Sequence, residues 1–230
     1  MVHRRFECPD LYDLIEHIQE MMVFNTQPSI RGICANVFMQ FLLDYPLSPE
    51  RVEQHINFLI KNLGCNKVQG RLQLLDVLKS LFEKLPGNIL DLYCELLFFT
   101  LLLRVVNDEN AECRTKAQKV LQTLSFSSKI NHQKIKTLLN TVLKMGSTDD
   151  AKREMLLMAK LQAFQLLVQR GGEKETSLKL KREEMRSIMQ TVFDEVIKGQ
   201  VADIESQVEA ATAVKDDEAS DVDTGVKSFL

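Results

Sequence analysis

The sequence has no tryptophan, and its 9 glycines and 5 prolines stand mostly between apolar runs. No stretch alternates Val, Ile or Thr with polar residues between turn residues, which is the pattern typical of a half-buried β-strand. A β-sheet is therefore not expected. The high aliphatic content of the 230-residue chain instead favours packed helices, and the sequence predicts an all-α fold.

The sequence also lacks the spacings of a metal site or a disulfide framework. No two cysteines form a CxxC motif, their number is odd, and no histidine belongs to an HExxH motif. The residues concerned are Cys8, Cys34, Cys65, Cys94, Cys113, His3, His17, His55 and His132. We expect reduced core thiols of an intracellular protein, with no metal and no cofactor.

Long uncharged apolar runs are absent as well. The most apolar segment, Ile89–Val106, is interrupted by Asp91, Glu95 and Arg104. Its longest uncharged part is much shorter than the roughly 20 residues that cross a bilayer. Met1–Asp10 is charged and shows no signal-peptide core. The sequence therefore predicts a soluble protein without a membrane partner.

Motifs of catalysis are missing too. The sequence contains no nucleophile elbow and no glycine-rich phosphate loop, and Gly171-Gly172 by itself indicates only a hinge. The tyrosines have no catalytic neighbours in the sequence. We therefore expect neither an enzyme nor a small-molecule substrate.

The stretch FFTLLLRVVNDENAECRTKA, from Phe98 to Ala117, predicts two helices joined by a tight polar turn. Asp108 stands in that turn, six residues before Arg114. A short carboxylate there can accept the N–H groups that a helix start leaves open, so we expect Asp108 to cap the second helix and to face Arg114.

The same layout returns along the chain. Four arginines are spaced by 40, 43 and 39 residues, and three of the four residues that precede them by six can cap a helix. These are Arg31, Arg71, Arg114 and Arg153, preceded by Asn25, Cys65, Asp108 and Ser147. A period of roughly 40 residues with two helices is the sign of HEAT repeats. The arginines either pair between neighbouring repeats, which we favour, or bind RNA phosphate.

Apolar periodicity predicts about four helix pairs, from Pro9 to Arg170. On the second helix it selects an inward stripe of Ile30, Ile33, Val37, Phe41 and Leu42. Ser48 is expected to cap the third helix, Gly64 to end it in a left-handed conformation, and Asn88 to cap the fifth. Since each stripe is too narrow for a core of its own, neighbouring pairs must stack into an α-solenoid.

A basic patch lies in the fourth pair and is a candidate surface for RNA or a partner. Its members are Lys134, Lys136, Lys144, Lys152 and Lys160. The alternative, an ordinary solvated polar face, stays open. No aromatic residues interleave with these lysines, which argues against stacking on single-stranded bases.

Beyond Gly171-Gly172 the sequence predicts a charged helix that caps the last pair, followed by an acidic tail from Val201 with a net charge of −6. Disorder is expected from about Ala210. Lys179–Arg182, KLKR, is either an import signal or, as we favour, part of an ordinary helix. The tail contacts a basic protein, mimics RNA, or is only solvated and disordered, which is the commoner case.

Three motifs carry a family resemblance: FLLDYPLSPERV (Phe41–Val52), INFLIKNLG with GRLQLLDVL (Ile56–Leu78), and the Phe98–Ala117 stretch. In this order and spacing they resemble the giant HEAT-repeat protein that is component twenty of the small-subunit processome, also called down-regulated in metastasis. The resemblance covers about Gln19 to Leu124. With the helical period and the charge pattern beyond it, the chain divides into family-like repeats (1–125), a further helix pair (126–170), the charged helix (171–200) and the tail (201–230).

The resemblance implies a scaffold in pre-ribosomal RNA processing and assembly of the small ribosomal subunit. It implies a place in the nucleus and nucleolus, with pre-ribosomal RNA and processome proteins as partners. Because proteins of this family are far longer, the chain is expected to be a fragment or short isoform, whose cut end would favour self-association. The alternative is a HEAT scaffold of the nuclear-transport or phosphatase type that binds protein partners without RNA.

Overall fold

The computed structural model describes residues 9–146 and 150–172, together with positions 186, 190, 193 and 194. Every regular element in this part of the chain is an α-helix, which confirms the predicted all-α fold. The predicted capping helix after Gly172, the KLKR stretch and the acidic tail lie outside the described residues, apart from those four positions.

The described part of the chain contains eight helices joined by short turns. They are α1 (Pro9–Phe24), α2 (Pro28–Asp44), α3 (Pro49–Asn62), α4 (Val68–Lys84), α5 (Gly87–Asn107), α6 (Ala111–Ser125), α7 (His132–Lys144) and α8 (Asp150–Gly172).

Consecutive helices pack as four pairs, and the pairs stack on one another. Helix α4 contacts α2 of the preceding pair and α6 of the following one, while α5 contacts α8. The core runs through these contacts and includes the fully buried side chains of Met22, Phe38, Phe82 and Phe98. Since each pair completes its core against its neighbours, the arrangement confirms the predicted α-solenoid of HEAT-type pairs.

The structure confirms the predicted helix cap at Ser48 but not the one at Asn88. The Ser48 hydroxyl accepts a hydrogen bond from the Arg51 N–H at 3.4 Å, as expected of a cap. The fifth helix begins earlier, at Gly87, with Pro86 in the cap position. Asn88 therefore lies in the first turn of α5, and its predicted role as the cap is wrong.

The predicted left-handed end of α3 at Gly64 is also wrong. No described residue, glycine or other, has a positive φ. Leu63 keeps helical angles, and the Gly64 N–H donates to the carbonyl oxygen of Lys61 at 3.3 Å. The helix tightens into a three-residue turn instead of reversing its backbone, so the special freedom of glycine is not used here.

The buried face of α2 is rotated relative to the apolar stripe read from the sequence. Ile33 and Val37 are 64% and 41% exposed, whereas Cys34 and Phe38 are buried. The shift follows from Arg31, which is itself buried and shares a face with Cys34, Ala35, Phe38 and Leu42. A reading based on apolar residues passes over a buried arginine, so the sequence predicted the neighbouring face of α2 as the buried one.

Helix α4 approaches α1 closely at Gly70. A Cβ atom on Gly70 would lie 2.5 Å from the carbonyl oxygen of Val23, and Val23 is buried at the end of α1. Because the obstructing atom belongs to the backbone, it cannot move aside as a side chain would. Gly32 on α2 is different, since a Cβ there would meet nothing within 4 Å.

We predict opposite effects for alanine at these two glycines. Gly70→Ala forces α1 and α4 apart and should lower the free energy of unfolding by about 1–3 kcal/mol. Gly32→Ala should raise it by about 0.5–1 kcal/mol, because alanine loses less conformational entropy in a helix. Chemical denaturation measures both changes, and equal effects of the two substitutions would contradict the close approach.

His55 on α3 is held edge-on between two phenylalanine rings of α2. Its ring centroid lies 5.7 Å from that of Phe38 and 5.6 Å from that of Phe41. Burial in this apolar setting lowers the pKa of His55 below its ordinary value of 6.5, and the positive charge of Arg51 lowers it further. The imidazole of His55 therefore takes up a proton at a lower pH in the folded protein than in the unfolded chain.

We predict that His55 makes the fold less stable in mild acid. As pH falls below 6.5, the unfolded chain takes up a proton that folded His55 refuses, so the free energy of unfolding decreases until the lowered pKa is reached. In His55→Gln this part of the slope should disappear from denaturation curves recorded between neutral and mildly acidic pH. His17→Gln, which removes an exposed imidazole, is the control. Parallel slopes in wild type and His55→Gln would refute the assignment.

Candidate functional site

Arg71 on α4 connects two successive repeats. One terminal nitrogen of its guanidinium donates to the carbonyl oxygen of Cys65 at 2.7 Å. The other donates to Asp108 Oδ1 at 2.8 Å. Both side chains are buried, so this ion pair between the second and third helix pairs is shielded from water. The expectation that an arginine of the series pairs between repeats holds at this position.

The other two arginines with described turns act within their own repeat. Arg31 donates to the carbonyl oxygens of Asn25 and Thr26 at 2.9 and 3.1 Å. Arg114 donates to those of Asp108 and Glu109 at 2.7 and 3.1 Å. Each guanidinium thus closes the turn that precedes its helix.

A common geometry explains the six-residue spacing. Arg31, Arg71 and Arg114 each bind the carbonyl oxygen of the residue six positions earlier. The contact is made by a backbone atom, which every residue type has. This accounts for the variety of residues at that position, which sequence reasoning had interpreted as caps. The fourth arginine, Arg153, is half-buried on α8, and Ser147 lies outside the described residues.

The predicted roles of the Asp108 side chain need correction. Asp108 does not cap α6, because the cap is Asn110, whose side chain accepts from the Cys113 N–H at 3.0 Å. The carboxylate of Asp108 accepts from the Asn110 N–H at 3.0 Å and turns toward Arg71. Only its backbone carbonyl faces Arg114.

Electrostatics favour the charged state of Arg71 in spite of its burial. Desolvation would lower the pKa of the Arg71 guanidinium, but the hydrogen bond and the charge of Asp108 outweigh it and raise the pKa above its ordinary value. A polar cleft of about 280 Å³ opens beside the pair, with Asn66, Arg104 and Asn107 on its walls.

Lysines also bind across repeat boundaries. Lys67 donates to the carbonyl oxygen of Phe24 at 2.8 Å, and Lys129 donates to that of Leu85 at 2.9 Å. These carbonyls lie at the ends of α1 and α4, where a helix leaves acceptors open and carries partial negative charge. The lysines therefore cap the C-terminal ends of helices across the repeat boundary.

The predicted lysine surface is not brought together as one exposed face. Lys134 donates to the backbone and the carboxylate of Asp91 on α5. Lys160 is only 2% exposed and Lys136 is half-buried. Lys144 is exposed at the end of α7, and the side chain of Lys152 lies outside the described residues. The sequence pattern could not separate lysines that pack against a neighbouring repeat from lysines that face solvent.

Sequence reasoning missed a row of glutamines between α6 and α8. Gln118 donates to Gln162 at 3.0 Å, and Gln122 donates to Gln169 at 3.3 Å. Glutamine is polar but uncharged, so it stands out neither in the charge pattern nor in the apolar pattern. The one signal in the sequence was that the paired glutamines lie about one repeat apart.

The described part of the chain was also compared with the donor sets of metal sites. No cluster of three or more His, Cys, Asp or Glu side chains there could hold a metal ion. The described cysteines are free thiols, and burial raises the pKa of Cys94 to about 11. No helix among the described residues is both long and apolar enough to cross a membrane.

These features define a class: a HEAT-type α-solenoid whose repeats are joined by buried and half-buried polar contacts. Within that class, the chain is similar to U3 small nucleolar RNA-associated protein 20. It is 27% identical to the Schizosaccharomyces pombe protein over 172 residues, which are 75% of this chain and 7% of that relative. It is 27% identical to the Saccharomyces cerevisiae protein over 124 residues, 54% of this chain and 5% of that relative.

The two matches confirm the resemblance predicted from the sequence motifs. The chain spans less than a tenth of the length of these curated relatives. No model of a protein family matches the chain.

We predict that the buried pair and an exposed pair differ widely in their effect on stability. Asp108→Ala leaves Arg71 charged and buried, and should cost about 3–5 kcal/mol. Asp76 forms the control pair with Lys116 at 2.6 Å, and its side chain is 55% exposed. Asp76→Ala should therefore cost no more than about 1 kcal/mol.

Double-mutant cycles with Arg71→Met and Lys116→Met separate these pair energies from other effects of the substitutions. Denaturant unfolding gives each free energy. Similar coupling energies in the two cycles would show that the Arg71–Asp108 contact does not join the repeats.

Proposed function

We propose that this chain is a non-enzymatic scaffold segment in the biogenesis of the small ribosomal subunit, acting within the small-subunit processome. The observation that carries the proposal is the similarity over three quarters of the chain to a relative named for its association with the U3 small nucleolar RNA. A HEAT-type solenoid suits a scaffold, because its stacked helix pairs present an extended surface to partners. The proposed location is the nucleolus.

We propose that the chain acts by holding its partners at fixed positions relative to one another. Arg71, paired with Asp108 between repeats, and Lys67 and Lys129, bound to helix ends across repeat boundaries, keep the helix pairs at set distances. Exposed side chains on this frame then meet their partners at set spacings. We propose processome proteins and pre-ribosomal RNA as those partners, with Lys144 as a phosphate contact because it is exposed at the end of α7.

The alternative scaffold, of the nuclear-transport or phosphatase type, would share the same fold. The two proposals differ in what they bind, since the alternative takes proteins without RNA. The names of the relatives favour the ribosomal proposal.

We predict that the tagged chain recovers precursor RNA of the small ribosomal subunit from nuclear extract. Sequencing of the bound RNA, with an unrelated HEAT solenoid as the control, measures the enrichment. Lys144→Glu should lower RNA recovery more than Lys79→Glu, which makes the same charge change at an exposed position on α4. Recovery of import cargo or phosphatase subunits without precursor RNA would support the alternative scaffold instead.

A further inference from the structure

The first helix pair carries an exposed apolar face. Leu14 of α1 and Ile33 and Val37 of α2 are 53%, 64% and 41% exposed. The half-buried side chains of Met21 and Ile30 extend this surface. These five residues are called the first-pair face below. Contiguous exposed apolar surface marks a site of interaction.

The positions of this face are those through which the inner repeats contact the pair before them. When the repeats are aligned on their arginines, Ile30 corresponds to Gly70 of α4 and to Cys113 of α6. Gly70 lies against the backbone of Val23 on α1. The thiol of Cys113 lies 3.9 Å from the carbonyl oxygen of Val68 on α4. Each of these contacts reaches the preceding helix pair.

The other positions of α2 follow the same register. Val37 corresponds to Val77 and Val120, which are each 1% exposed in the inner repeats. Ile33 corresponds to Lys116, whose ammonium group binds α4 of the preceding pair. Val37 is therefore exposed because no described helix pair precedes it, although the inner repeats bury a valine at this position.

Leu14 lies on the same outer side of the first pair. It stands nine positions before Val23, or about two and a half helical turns, so the two side chains leave α1 on opposite sides. Val23 faces the second pair at Gly70, and Leu14 therefore faces away from that pair. The terminal pair of a solenoid normally turns polar groups outward. The first-pair face turns apolar groups outward instead, as a surface between repeats does.

The part of the face on α2 offers no charge to a ligand. Arg31 is the one charged side chain of the sequence between Pro28 and Leu43, and it is buried and bound to the turn before α2. On α1, Asp10 stands one turn before Leu14, at the margin of the face. Nucleic acid, whose phosphates bind chiefly to Lys and Arg, therefore has no partner on this part of α2. The complement of this surface is another uncharged apolar surface, and a second copy of the chain supplies one.

We propose that the first-pair face binds the same face of a second copy of this chain, so that two chains form a dimer about a twofold axis. In such a contact the same residues meet on both sides. The two α2 helices run antiparallel, which brings uncharged surfaces together and sets the two Asp10 carboxylates at opposite ends of the contact. The face is small compared with stable interfaces, so we expect a dissociation constant on the order of 10–100 µM. The inference rests on this face alone and does not depend on the proposed function.

Sedimentation velocity of the full chain tests the dimer. The concentrations should extend about tenfold below and above the expected dissociation constant, and the wild type should shift from monomer to dimer within them. Ile33→Asp puts two carboxylates into the symmetric contact, where they repel each other. It should weaken the dimer by about tenfold or more.

Leu92→Asp is the matched control. Leu92 is 69% exposed on α5, outside the first-pair face, so this variant makes a closely similar change at a position as open as that of Ile33. It should dimerise as the wild type does. Both side chains lie mostly in solvent, and circular dichroism checks that the two variants keep the helical fold.

Photo-cross-linking locates the contact. p-Benzoylphenylalanine replaces Gln40, an exposed residue one turn from Val37 on α2. Chains labelled with ¹⁴N and with ¹⁵N are mixed, so that cross-links between copies carry both labels. We expect these cross-links to join α2 of one copy to α1 or α2 of the other.

The proposal fails on any of three results. A wild-type chain that stays monomeric over the whole range shows that the face binds no second copy. Equal weakening of the dimer by Ile33→Asp and Leu92→Asp shows that copies associate through apolar surface in general. Cross-links from position 40 to α7 or α8 of the other copy, with species that grow beyond the dimer, show that chains stack end to end and that the last helix pair is the occupant.

Discussion

The turn between α5 and α6 holds two arginines at once, and the stacking of the second and third helix pairs depends on this contact. Its Asp108 carboxylate binds Arg71 of the preceding repeat, and its Asp108 and Glu109 carbonyls bind Arg114 of its own. Because the Arg71–Asp108 pair is buried, its charges are desolvated, and any shift between the helix pairs would leave one of them unpaired. A buried ion pair of this kind sets the register of the repeats more than it adds net stability.

The same constraint determines which charges remain for partners. Lys67 and Lys129 bind the C-terminal ends of α1 and α4 across repeat boundaries, and Lys134 binds Asp91. Positive charge that looks available in the sequence is thus used inside the frame. The carboxylates of Glu16 and Glu20 are left without such partners among the described residues.

The motifs behind the family resemblance have separate physical roles. Phe41 and Tyr45 of FLLDYP stack on each other with ring centroids 5.0 Å apart, and Tyr12 packs edge-on against both. Phe41 also holds His55. The NDENAECR stretch forms the turn between α5 and α6, from which Asp108 binds Arg71 of the preceding repeat. The first of these motifs therefore serves packing, and the second forms a turn.

The sequence by itself determined the helices, their pairing and the repeat. The spacing of apolar residues and the six-residue distance from each arginine to its turn are local features, so they do not depend on which helices pack together. It also determined the caps formed by Ser48 and the ends set by proline. Only the tertiary structure decided that Asp108 pairs with Arg71, that Lys160 is buried, that Arg31 rotates the inward face of α2, and that Gln19 and His55 share a cleft. These contacts join residues about 35 to 45 positions apart or bury polar groups. A local pattern carries no information on which neighbour a polar side chain will meet, because that choice depends on how the repeats stack.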